Sequence, residues 1–184
     1  MTKALSDMTL EELWDRFPID LTPHQDVWAD WYDQERRALE VLVGAYRIAR
    51  ISHIGSTAIP GILAKPIVDI LMEACPKDFE SVARDIDASG QWICMSRTSG
   101  RISYNKGYTT DGYAARVFHL HLRRNGDCKE IVFRDYLMRH PDIAREYERL
   151  KARLLAQYRP NRDAYTAAKS PFIETILRKA VEER

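Results

Sequence analysis

Long apolar runs are missing from this chain of 184 residues, so no conventional membrane-spanning helix is expected. The segment MTKALSDMTLEEL lacks the apolar core of a signal peptide. Cysteine is scarce: Cys75, Cys94 and Cys128 are odd in number, far apart and without metal-ligand spacing. That excludes a disulfide framework and a zinc ribbon, and predicts reduced thiols in a cytoplasmic protein. An excess of one charge is also absent. Lys plus Arg number 28 against 27 Asp plus Glu, a net charge of +1. Binding to extended nucleic acid or to a membrane surface is therefore not expected, while a local basic pocket remains compatible. There is no internal repeat, low-complexity tract or linker, and residues 1–184 are expected to form one domain.

What is present reads as alternating signals for helices and strands. Thr9-Leu10-Glu11-Glu12 is a capping box opening a short helix with Leu10, Leu13 and Trp14 on one face, and Phe17-Pro18-Ile19 ends it as an extended arm. Thr22-Pro23-His24-Gln25 repeats the start signal, with Pro23 at the first helical position, and a long aromatic-striped helix runs to Gly44. Strands are expected at 48–54, from Pro66 to Glu73, at 92–97, at 101–106 and at 115–123. A helix from Pro76 to Gly90 connects the second and third strands. Residues 107–113 read as a polar loop. The last third is helical: a start at Asp127 with Glu130, a second start at Pro141, a break at Arg159-Pro160-Asn161, and a final helix kinked at Pro171. The fold class is α+β, with a central mixed or antiparallel sheet of about five strands and helices at both ends.

The chemistry concentrates between Ser52 and Glu73. Gly55 and Ser56 lie in a small-residue loop, and Lys65 precedes a nearly continuous apolar strand that carries one carboxylate, Asp69. Freed backbone N–H groups, a hydroxyl and a cation suit phosphate oxygens, although a tight turn beside a surface lysine has the same composition. A lone carboxylate in so apolar a run is costly to bury without a partner, which points to a divalent cation or an arginine. His119 and His121 project from one strand face and suit a metal, a phosphate or a proton relay. If their strand neighbours that of Asp69, the three side chains converge. His53, two residues before Gly55, is within reach of the same pocket, but a lone histidine is more often structural. Lys106, Arg123 and Lys169 are further candidates for neutralising phosphates, each equally at home on the surface. No Ser-His-Asp or Cys-His set stands at a recognisable spacing.

HIGSTAIPGILAKPIVDI at 53–70, FHLHL at 118–122, FRDYLMRHPDIAREYERLK at 133–151, YTAAKSPFI at 165–173 and ELWDRFPIDL near the N-terminus resemble the GrpB family. That family is similar to the nucleotidyltransferase (polymerase beta-like) superfamily, and some of its members are fused to dephospho-coenzyme A kinase. The resemblance implies a nucleotidyltransferase-like fold. It also implies a Gly55-Ser56 turn followed by metal-binding Asp69, with a nucleoside triphosphate and Mg²⁺ or Mn²⁺ as substrate and cofactor. A second carboxylate belongs two residues after the first, and there the chain has Leu71. His119 and His121 stand where a third acid would come from a later strand, so Asp69 with one or both histidines would hold a single ion. Glu73 is a weaker substitute. The expectation is nucleotidyl transfer to an unknown acceptor, with Asp69, His119 and His121 as catalytic and metal-binding residues and Gly55, Ser56, Lys65, Lys106 and Lys169 holding the nucleotide. The alternatives are a nucleotide- or anion-binding module without turnover, or a metal-dependent phosphohydrolase built on Asp69, His119 and His121.

Overall fold

The computed structural model describes residues 3–126, 128–159 and 161–183. Its centre is a five-stranded mixed sheet of β1 (Ile48–Ile54), β2 (Val68–Ala74), β3 (Ile93–Arg97), β4 (Arg101–Thr109) and β5 (Gly112–Arg124), in the order β1-β2-β5-β4-β3. The β2–β5 pair is parallel; β1–β2, β4–β5 and β3–β4 are antiparallel. A parallel pair needs a crossover, and the excursion through α3 (Phe79–Ala88), β3 and β4 provides it.

One face of the sheet carries the main core. Val68, Ile70, Met72, Ile102, Phe118, Leu120 and Leu122 pack against α2 (Val27–Val43) and α3 through Trp28, Leu39, Val43, Phe79, Val82 and Ile86. The opposite face is only partly covered. Ile54 and Leu71 pack on Ile131 of α4 (Lys129–Arg139). α5 (Pro141–Tyr158), α6 (Arg162–Ala167) and α7 (Ser170–Glu182) complete the C-terminal layer. The N-terminal helix α1 (Leu10–Arg16) has the expected capping box between Thr9 and Glu12 and buries none of its residues. It is tethered by Phe17, which packs on Tyr108 and Tyr113 at ring-centroid distances of 4.8 and 5.1 Å.

Four expectations require correction or fall away. α2 starts at Val27, not at Pro23, because Thr22 is taken by a two-bond β-bridge with Ala64. The final helix is two helices, and Pro171 sits in the first turn of α7, where its missing N–H costs nothing, instead of kinking a longer one. Residues 107–113 are not a loop. Tyr108, Thr109 and Tyr113 favour strands, and Gly107, at φ +89°, absorbs the irregularity at Lys106/Tyr108. The turn is short and is closed by the Thr109 hydroxyl, which donates to Gly112 O at 2.8 Å and accepts from Asp111 N at 3.2 Å. Finally, the expected helix start at Asp127 and the break at Pro160 lie outside the described residues.

Gly55 connects β1 to a single 3₁₀ turn, Ser56–Ala58, with φ +69° and ψ −173°, a conformation essentially reserved for glycine. A Cβ at this position would run into the Asp69 carboxylate. Gly55→Ala is expected to lower stability by about 2 kcal/mol or more, from backbone strain alone. Urea unfolding measures this, and an unchanged midpoint would show that the loop does not rest on Asp69.

Candidate functional site

Strand register assembles the site. Ile54, Asp69, His119, Asn105 and Ile93 stand side by side across β1, β2, β5, β4 and β3. One step along the same face, Leu71 is paired with His121. The parallel β2–β5 pairing thus brings together the carboxylate and the two imidazoles: Asp69 Oδ1 lies 3.0 Å from His119 Nδ1 and 3.6 Å from His121 Nε2. One donor atom from each of the three side chains lies within 4.8 Å of the others, a spacing fit to hold a metal ion.

Protonation in this cluster follows from its partners. Burial opposes ionisation of Asp69, but hydrogen bonds from His119 and His121 outweigh it and hold the carboxyl well below its usual range. Burial pushes His119 down against the pull of Asp69, which keeps its ring neutral. An ionised Asp69 only accepts, so His119 Nδ1 carries its proton and Nε2 accepts from the Tyr108 hydroxyl at 2.8 Å. Arg162 in turn donates to that hydroxyl at 3.3 Å. Arg123 donates to His121 Nδ1 at 3.3 Å, leaving the Nε2 proton of His121 facing Asp69. An ionised carboxylate beside a neutral His119 ring is the charge state in which these two groups bind metal.

The triad forms part of the floor of a cleft of about 930 Å³, which also contains Gly55, Ser56, Lys65 and Lys169. Two cations that the sequence reading did not single out join them, Lys151 and Arg162. Lys151, 2% exposed, donates to Ser56 Oγ at 2.9 Å and to Leu63 O. Its ammonium lies 4.9 Å from the Tyr147 ring centroid, and those of Lys169 and Lys65 lie 4.7 and 5.8 Å from that of Tyr165. Among the described residues none of these four cations forms an ion pair with a carboxylate. Burial first, then the neighbouring cations, push Lys65 down to about 7; burial and then Lys169 push Lys151 down to about 7. Burial also lowers Lys169.

Not every candidate reaches the cleft. Lys106 projects from the opposite sheet face, paired with Glu35 at 2.7 Å and lying over the Trp92 and Phe118 rings. It is one residue beyond Asn105, which stands opposite His119, and strand alternation turns it away. Glu73 is fully buried, binding Arg50 and accepting from Gly126 N at 2.7 Å. Leu71, 1% exposed, is part of the apolar contact with α4 and offers no oxygen. His53 stacks on Tyr32 at 4.9 Å and shares a 3.0 Å hydrogen bond with Thr57. Burial drives it down to about 4, in keeping with a structural role.

Comparison with known proteins agrees over most of the chain. The UPF0157 protein YqkA of Bacillus subtilis is 31% identical over 182 residues, covering 94% of this chain, which spans 50% of YqkA's length. The glutamate-rich protein GrpB of Alkalihalophilus pseudofirmus is 34% identical, with 85% of this chain and 92% of its own covered. The crystal structure of the conserved protein GrpB from Enterococcus faecalis superposes with a TM-score of 0.76 at 26% identity, covering 89% of this chain and 98% of that one. The sequence model of the GrpB protein family matches residues 18–179, and the chain belongs to that family.

Proposed function

We propose that this protein is a metal-dependent phosphohydrolase acting on a small phosphate-bearing molecule. The observation that supports this reading best is the convergence, in one cleft, of the Asp69, His119 and His121 donors with four cations that, among the described residues, form no ion pair with a carboxylate. Partly or fully buried cations outside any ion pair favour an anionic ligand, and phosphate takes charge-assisted hydrogen bonds from both lysine and arginine. Two nitrogens and one oxygen suit Mn²⁺, Fe²⁺ or Zn²⁺ better than Mg²⁺, which demands oxygen ligands. When bound, such an ion would supply charge neutralisation at the phosphoryl group and a more acidic water.

The chain's own groups would do the rest. Lys65, Lys169 and Arg162 hold phosphate oxygens, while Lys151, through Ser56 Oγ, fixes the loop that rests on Asp69. Tyr108 keeps the His119 ring oriented. Water oxygen bonds to phosphorus, the ester P–O bond breaks, and the leaving oxygen takes a proton, giving orthophosphate and an alcohol. Nucleotidyl transfer is the second reading, favoured by the Gly55-Ser56 turn packed on Asp69. Leu71 weighs against it, since two-metal displacement needs a further carboxylate.

Product analysis separates these readings. Phosphate monoesters incubated with Mn²⁺ or Zn²⁺ are expected to release orthophosphate, with the release abolished in Asp69→Asn and His119→Ala. Pyrophosphate released from a nucleoside triphosphate would instead establish transfer, and no product with any metal would sink both. In calorimetry with the metal alone, His121→Ala is expected to bind about 100-fold more weakly, since even outer-sphere changes cost 10–100-fold.

A pH dependence follows from Lys65 and Lys151. Their charged forms prevail below about pH 7, so anion affinity is expected to be high there and to fall as pH rises through 7. Metal-free titration with sulfate, whose charge is constant over this range, measures it; pH-independent affinity would contradict the assignment.

A further inference from the structure

The outer half of the cleft differs chemically from its floor. Leu10, Leu13 and Trp14 of α1 line it on one side, Ile93 and Met95 of the edge strand β3 on another, and Ile173 of α7 on a third. Leu10, Ile93 and Met95 are 57%, 45% and 59% exposed, three large apolar side chains left in water around one opening. Contiguous exposed apolar surface of this kind marks a binding surface. The polar residues of the rim, Ser6, Asp163 and Thr166, are themselves exposed to solvent. Deeper in the cleft Lys151 is buried, and Lys65, Lys169 and Arg162 are half-buried. Ile93 stands in the same cross-strand row as His119 and Asp69, with Asn105 between it and the triad.

We infer that the ligand is an amphiphile: a phosphate ester whose anionic head sits among Lys65, Lys151, Lys169 and Arg162, and whose body is an aliphatic chain lying against α1 and β3. This inference rests on the phosphate reading above and goes beyond it in naming the class of the organic group. In the outer cleft an aliphatic chain would meet Leu10, Leu13, Ile93 and Met95, whereas the polar side chains there, Ser6, Asp163 and Thr166, already face solvent. The volume of about 930 Å³ accommodates both a head group and a chain of several carbons.

Binding of inorganic phosphate, methyl phosphate and a series of n-alkyl phosphates up to octyl, each below its micelle concentration, tests this without added metal, so that no ester is turned over. Affinity is expected to rise about three- to fourfold per added methylene until the cleft is filled. In the Leu10→Ser/Met95→Ser double variant, at two exposed positions where folding is not at stake, this dependence on chain length is expected to flatten. Equal affinity for methyl and octyl phosphate, or tighter binding of adenosine monophosphate than of any alkyl phosphate, would overturn the inference while leaving the phosphate reading intact. No binding of any member, inorganic phosphate included, would instead overturn the phosphate reading itself.

Discussion

The site depends on one parallel strand pairing. Asp69 and His119 are 50 residues apart in sequence and face each other only because β2 and β5 run side by side in register. Slipping that register by one residue would turn both histidines toward the α2–α3 core and replace them with leucine and phenylalanine. The apolar alternation of β5, with Phe118, Leu120 and Leu122 buried on the core side, prevents the slip. Packing on one face of the sheet thereby dictates the chemistry on the other.

Around this pairing the fold divides its two faces unequally. The core face is sealed by α2 and α3, and the other face is sealed only at its β1–β2 side, where Leu71 meets Ile131. Toward β4 and β3 the sheet lies open, and the triad sits at the boundary. The same boundary explains why Leu71 and His121, direct neighbours in register, have opposite fates. Leu71 belongs to a helix contact and His121 to the cleft. A carboxylate at position 71 would have to be buried against Ile54 and Ile131, a costly place for a charge.

The sequence showed the elements and the triad because both rest on local periodicity. Strand alternation put His119 and His121 on one face, and the isolation of Asp69 among apolar residues was visible directly. What it hid depended on pairing between distant segments. Lys106 was a plausible phosphate ligand until β4 paired with β5 and its parity turned it toward Glu35. The composition of 107–113 suggests a loop, and nothing local to Tyr108 sets its hydroxyl against His119. Lys151 falls on the apolar stripe of α5 with Tyr147 and Leu154, and a lysine in that stripe was the overlooked signal. Arg162 gave no such clue, being placed only by the break before α6.

The crossover that makes β2 and β5 parallel has a kinetic side. Pairing β2 with β5 closes a loop of chain that holds α3, β3 and β4, and closure over such a span costs entropy and slows folding. The triad is therefore a property of the finished fold and of no smaller piece of it. An ion or ligand that recognises it would select the native chain over every partly folded form and raise its stability by mass action. In a cell, the occupied fraction of this protein would also be the fraction best protected from unfolding.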